Sequence, residues 1–160
     1  SDEHLPEHIA MEWYWAYADW QQGMELTERM IRFLCDKTWG TRKFTLADGQ
    51  VVDFGDDDQH FPRISFIDVL RDQYQLDVFD SPIEDIQAKL KEHGLEVGKV
   101  DNRIRSLDKL WKKYRKSIAG PVFLLDIPTF MQPLAKVQAD DPRLSQQFNL
   151  VFGGSDMCKA

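Results

Sequence analysis

The run Val122-Phe123-Leu124-Leu125-Asp126-Ile127 is apolar at every position but one. It is too short for a helix and reads as a buried strand, because successive side chains of a strand point to opposite sides. A chain carrying it must cover two faces. Of its 160 residues 42% are hydrophobic and 12% aromatic, enough apolar surface for one core. Pro128 and Pro133 bracket a turn after the run. Residues 148–152 read as a second strand, Gly153-Gly154 as a tight turn, and residues 155–158 as the start of a strand that the chain end cuts short.

The rest of the chain predicts helices in the middle and strands at both ends. Leu26, Met30, Phe33 and Leu34 recur at helical spacing over residues 23–37, with Glu25, Glu28, Arg29 and Arg32 assigned to the outer side. Residues 43–47 and 50–54 flank Asp48-Gly49, a two-residue hairpin signal. Ser65 and Asp68 form a cap-like pair, with Ile64 and Val69 as a staple. Ser81-Pro82-Ile83-Glu84 starts another helix, which Gly94 should stop. A last helix over 106–118 places Leu107, Leu110, Trp111, Tyr114 and Ile118 on one face. Strands and helices do not alternate, so the expected fold class is α+β, an antiparallel sheet flanked by helices. Residues 81–119 read as a mainly helical insertion.

Residues 8–17, HIAMEWYWAY, have high strand propensity. Alternation would set Ile9, Met11, Trp13, Trp15 and Tyr17 on one bulky face, and His8, Ala10, Glu12, Tyr14 and Ala16 on the other. The two alanines leave room beside the polar residues, so the second face could line a pocket. Glu12 and Tyr14, two apart, would project side by side, and a carboxylate beside a phenolic oxygen is a receptor for an ammonium group; a surface acid beside an ordinary tyrosine is the plainer reading.

Several functions find no support. Lys and Arg number 20 against 27 Asp and Glu, a net charge of -7, which suits no dedicated nucleic-acid clamp. The basic cluster Arg103, Arg105, Lys109, Lys112, Lys113, Arg115 and Lys116 reads as a solvated helix face with Asp101 and Asp108 among the bases. Asp56-Asp57-Asp58 reads as a solvated loop, because three consecutive acids cannot all point at one ion from a regular element. His4 and His8 have a metal-pair spacing only on a helix, which Pro6 opposes. Cys35 and Cys158 are far apart and belong to no CxxC pair; without a secretory signal they suit a reducing cytosol, where cysteine acts as a small hydrophobe. No apolar run is long enough to cross a bilayer.

The stretch HLPEHIAMEWYWAYADWQQGMELTE resembles the later half of motif 2 in class II lysyl-tRNA synthetases and the helix after it. The agreement lies at His4, Pro6, Glu7, Met11, Glu12, Tyr14, Ala16-Tyr17-Ala18-Asp19 and Leu26-Thr27-Glu28. Residues 122–128 with Pro133-Leu134-Ala135-Lys136 resemble a family strand and turn, and residues 148–160 resemble the strand pair before motif 3. The resemblance implies an incomplete class II catalytic domain over 1–160. It implies activation of lysine by ATP to lysyl-adenylate, then transfer to tRNA(Lys). It implies a cytoplasmic, homodimeric parent protein with no membrane partner. By the same resemblance Glu12, Tyr14 and Lys159 contact lysine, His4, Glu7 and His8 contact ATP, and Asp156 with Asn149 lie where the family holds Mg2+.

Three positions depart from the family. His8 replaces an adenine-stacking phenylalanine, Asn149 a metal-binding glutamate, and Lys159 an asparagine that helps hold the amino acid. The arginines of motifs 2 and 3 are absent, as are motif 1 and an anticodon-binding domain. The chain begins without Met and ends inside a predicted strand. It therefore reads as an internal piece that is inactive alone, and no catalytic residue is assigned. Two other readings stand beside this one: a paralogue that attaches lysine to a translation elongation factor, and a non-catalytic synthetase-like interaction module.

Overall fold

The computed structural model describes Glu7 and residues 9–160. Their elements run in the order α1 (Trp20–Thr38), β1 (Lys43–Thr45), β2 (Val51–Asp53), β3 (Arg63–Ser65), α2 (Phe66–Tyr74), α3 (Ile83–Glu92), α4 (Arg103–Arg115), β4 (Val122–Leu125), β5 (Asn149–Phe152) and β6 (Ser155–Lys159). This is the expected α+β class. One sheet has the order β3-β4-β5-β6, and β1 and β2 form a separate hairpin.

The apolar run behaves as its composition demands. Phe123 and Leu124 of β4 are buried on opposite faces, as are Leu150 and Val151 of β5. Phe123 and Leu150 join a cluster with Met24, Cys35, Val52, Phe54, Phe61 and Phe148, beneath α1 and the β1–β2 hairpin. Leu124 and Val151 join Phe66, Leu70, Ile86, Leu90, Leu107, Leu110 and Trp111, beneath α2, α3 and α4. On the first face the rings meet in series: Phe54 stands edge-on to Phe152 at 5.2 Å, and Phe123 edge-on to Phe148 at 5.2 Å. The strand stops at Asp126, whose φ of 55° leaves the extended region.

The sheet is mixed rather than wholly antiparallel. β3 pairs with β4 in parallel, Ile64 opposite Leu124, while β4–β5 and β5–β6 are antiparallel. A parallel pair needs a long crossover, and here it runs through α2, α3 and α4. The expected cap at the start of α2 is not made. Ser65 closes β3, its side chain caps nothing, and Asp68 pairs with Arg71 at 2.8 Å instead. Ser81 likewise accepts the N–H of Asp77 rather than capping α3. At the other end of α3 the sequence signal holds. Gly94 has φ +71°, and Leu95 N–H donates to Leu90 O at 2.8 Å, a Schellman closure.

Two expectations fail near the N-terminus. Residues 9–15 form no strand. Strand propensity becomes a strand only when a neighbouring backbone completes the ladder, and no described element pairs with this segment. Its large side chains face solvent: Ile9 is 102% exposed and Tyr17 107%. Helix α1 also begins earlier than its apolar spacing suggests, at Trp20. Asp19 accepts the N–H of Gln22, and the Gln22 side chain accepts the N–H of Asp19, a complete capping box. The helix is also rotated about its axis. Glu28 and Arg32 are buried, while Phe33 and Leu34 are exposed.

Candidate functional site

The β5–β6 hairpin carries three of the residues singled out in the sequence. Gly153 and Gly154, both at positive φ, close its turn. Val151 pairs with Asp156, but Leu150 pairs with Cys158 and Asn149 with Lys159. Met157 is therefore an extra residue, a β-bulge. Without it the three-residue spacing of Asp156 and Lys159 would send their side chains to opposite faces. The bulge returns Lys159 to the face of Asn149, Val151 and Asp156, which is the face toward α4. Sequence reasoning named these residues and did not foresee the bulge that aligns them.

On that face Asp156 forms an ion pair with Arg115, the last residue of α4. The Arg115 side chain is 8% exposed and that of Asp156 30%. Asn149 Oδ1 accepts from Gln147 Nε2 at 3.1 Å. The set does not fit a divalent cation. One carboxylate is already neutralised by a guanidinium, and the second position holds a neutral amide. Among the described residues no three His, Cys, Asp or Glu side chains come together as a metal set. Mg2+ wants several oxygen ligands in near-octahedral array, which this face does not supply.

The residues at the N-terminal end are not brought to this face by any described contact. Glu7, Glu12 and Tyr14 are exposed, Tyr14 to 95% of its surface, and none of the three lines either of the two cavities described here. The side-by-side projection expected from a strand is not built, because the strand is not. His4 and His8 lie outside the described residues. Cavities of about 430 and 480 Å³ lie elsewhere, the first lined by Arg71, Asp77, Phe79 and Arg143, the second by Arg32, Gln59, His60 and Pro121. Neither is lined by a residue nominated from the sequence.

The basic cluster is only partly a solvated face. Lys112 pairs with Asp108 at 2.8 Å and Lys109 with Asp101 at 2.5 Å. Arg103 donates to Val78 O and Ser81 O, which ties the start of α4 to the start of α3. Arg115 is buried. Helical spacing treats these arginines as one outer face. Their partners come from other elements, so spacing alone could not separate them. The acids 56–58 lie in an exposed loop, where Asp57 pairs with Arg42 at 2.8 Å.

A buried polar cluster on α1 was also missed. Glu28 accepts the N–H of Phe61 at 2.8 Å and lies 2.9 Å from His60 Nδ1. Arg32 donates to Phe54 O and Gln59 O, and its guanidinium lies 4.8 Å from the centre of the Phe61 ring. The signal was present: Met24, Thr27, Glu28, Ile31, Arg32 and Cys35 follow helical spacing with two charges among them. Both cysteines are free, and burial pushes both thiols above their ordinary range, as befits packing rather than thiolate chemistry.

Comparison with known proteins covers the chain from end to end. Residues 1–160 match the family described as tRNA synthetases class II (D, K and N). The chain is 34% identical over 160 residues to a lysine–tRNA ligase of Thermotoga maritima, covering 100% of this chain and 31% of that protein. It is 34% identical over 160 residues to one of Fervidobacterium nodosum, covering 100% of this chain and 30% of that protein. With one of Staphylococcus saprophyticus the identity is 32% over 158 residues, 98% of this chain and 31% of that protein. The chain thus spans about a third of the length of these curated relatives.

Proposed function

The chain belongs to the class II tRNA synthetase (D, K and N) family, and on that premise we propose that it is part of a lysine–tRNA ligase. The reaction would join the lysine carboxylate to the α-phosphate of ATP, releasing pyrophosphate, and then pass the lysyl group to tRNA(Lys). The observation that carries this reading is the unbroken similarity of residues 1–160 to lysine–tRNA ligases.

Glu12 and Tyr14 are proposed to receive the lysine ammonium. One brings a full negative charge and the other a neutral acceptor, a pairing that suits the side-chain ammonium of lysine and that the side chain of aspartate or asparagine would not exploit. Lys159, on the α4 face of β6, adds a positive charge, which suits a carboxylate better than an amine. His4, Glu7 and His8 are proposed to contact ATP. Activation of this kind gains most from positioning and charge neutralisation, so residues far apart in sequence must be held together.

The exposure of Tyr14 supports a further part of the proposal: these 160 residues do not turn over alone. The parent protein is proposed to act in the cytoplasm as a homodimer. No helix among the described residues is long and apolar enough to cross a membrane.

Calorimetry on the longer protein tests the reading. Lysine and a lysyl-adenylate analogue should both bind, and Glu12→Gln should weaken lysine by about tenfold to a hundredfold, the range for losing a charge-assisted hydrogen bond. Binding of neither compound to the unmodified protein overturns the proposal.

A further inference from the structure

We propose that the outer face of α4 is a docking surface for the phosphate backbone of duplex RNA, with Arg105, Lys112 and Lys113 as the contacting cations. The choice of RNA rests on the synthetase reading. The face itself follows from the helix.

Two members of the basic cluster turn away from it: Arg103 donates to the carbonyls of Val78 and Ser81, and Arg115 is buried. Arg105, Lys109, Lys112 and Lys113 stand at spacings of i, i+4, i+7 and i+8, so they share one face of the helix. The opposite face carries Leu107, Leu110 and Trp111, which are buried. Lys109 is held in place by Asp101 at 2.5 Å and by Glu96 O at 2.9 Å. Arg105 and Lys113 are exposed and form no ion pair among the described residues. Lys112 meets Asp108 at 2.8 Å with half its side chain in solvent, and an exposed pair of this kind holds little energy against exchange for a phosphate.

The character of the face selects the partner. An anionic membrane surface takes up apolar side chains beside the bases, and the apolar residues 107, 110 and 111 are buried in the core instead. Single-stranded RNA calls for rings on which its bases stack. Tyr114, the aromatic nearest the face, packs on Trp111 with ring centres 6.2 Å apart. A duplex backbone asks only for fixed cations. At 1.5 Å per residue, Arg105 and Lys112 lie about 10 Å apart along the helix, a span that covers several phosphates of a duplex. On a chain of net charge -7 this is a local contact, not a clamp.

The test is fluorescence anisotropy of a labelled RNA duplex with the 160-residue chain, across a salt series. Three phosphate contacts predict that log affinity falls with log salt at a slope of about -2 to -3. Arg105→Gln with Lys113→Gln should flatten the slope by about 2 and weaken binding at low salt by about tenfold or more. Arg29→Gln with Lys37→Gln removes the same charge from exposed positions of α1, across the sheet, and should leave binding within about twofold of the unmodified chain. All four positions are exposed, so both variants should keep their fold, which circular dichroism checks. Polyglutamate of equal total charge should compete poorly, because its charges lie about 3.3–3.6 Å apart when extended, roughly half the axial density of a duplex. No salt-dependent binding overturns the proposal, as does an unchanged α4 variant or an equal loss in the α1 variant. Equal competition by polyglutamate also overturns it and assigns the face to an acidic protein. Lysine and ATP take no part, so failure here leaves lysine activation untouched, and an inactive longer protein leaves the RNA result standing.

Discussion

Glu28 Oε1 accepts the backbone N–H of Phe61 at 2.8 Å, joining the middle of α1 to the segment that enters β3. The same carboxylate meets His60 Nδ1 at 2.9 Å through its other oxygen. Glu28 is 3% exposed, so its replacement strands a buried N–H. Glu28→Ala should lower unfolding free energy by about 2–3 kcal/mol, the cost of an orphaned buried donor together with a lost charge-assisted bond. Urea denaturation of the two chains measures it. A difference near zero would mean the loop closes without this residue.

Arg32 is one turn further along α1 and holds the same loop from below. Its fork donates to two carbonyls, of Phe54 and Gln59, while its plane covers the Phe61 ring. A lysine keeps the charge but not the fork. Arg32→Lys should therefore destabilise by about 1–3 kcal/mol, nearly as much as a neutral replacement. Full stability in the lysine variant would show that charge alone matters here.

Gly120 approaches the backbone of β5 so closely that a Cβ would lie 2.5 Å from Val151 O and 2.8 Å from Phe152 Cα. Its φ is also positive, at +78°. Gly49 has a positive φ too, but a Cβ there meets nothing within 4 Å. Gly49→Ala should cost about 1–2 kcal/mol from backbone strain alone. Gly120→Ala should cost clearly more, because β4 and β5 must separate to admit the methyl group. Comparing thermal midpoints of the two variants separates strain from contact.

Acid should unfold the protein through carboxylates held in the folded state. Backbone N–H groups of Asp80 and Phe79 lower Asp77 below its ordinary 3.8. Hydrogen bonds from Arg42 to Asp36, from Lys109 to Asp101 and from Arg143 to Asp141 lower those three as well. A carboxyl depressed on folding binds fewer protons when folded than when unfolded. Its stabilisation is complete above the unfolded value and drains away as pH falls through the folded one. Stability should thus be level from neutrality down to about pH 5 and fall below about pH 4. Asp77→Asn should be less stable at neutral pH and show a shallower acid decline. An unchanged acid limb would exclude Asp77 from it.

How much of this was legible depended on where the partner of each residue lies. The two-faced burial of β4 and β5, the Gly153-Gly154 turn and the Gly94 stop follow from local chemistry, and the structure has them. Residues 9–15 did not become a strand, because pairing is not local. The face of α1 was misjudged because Glu28 and Arg32 are satisfied by backbone groups of residues 54–61, which periodicity does not see. Asp156 and Lys159 came to one face through a bulge at Met157, and no turn or propensity signal marks that position.

The claim that most needs testing is that the chain serves lysine activation. Amino-acid-dependent ATP–pyrophosphate exchange by the longer protein should be supported by lysine and not by aspartate or asparagine, and Glu12→Gln should abolish most of the lysine response. Exchange driven by aspartate or asparagine, or lysine-driven exchange untouched by that substitution, would contradict the account.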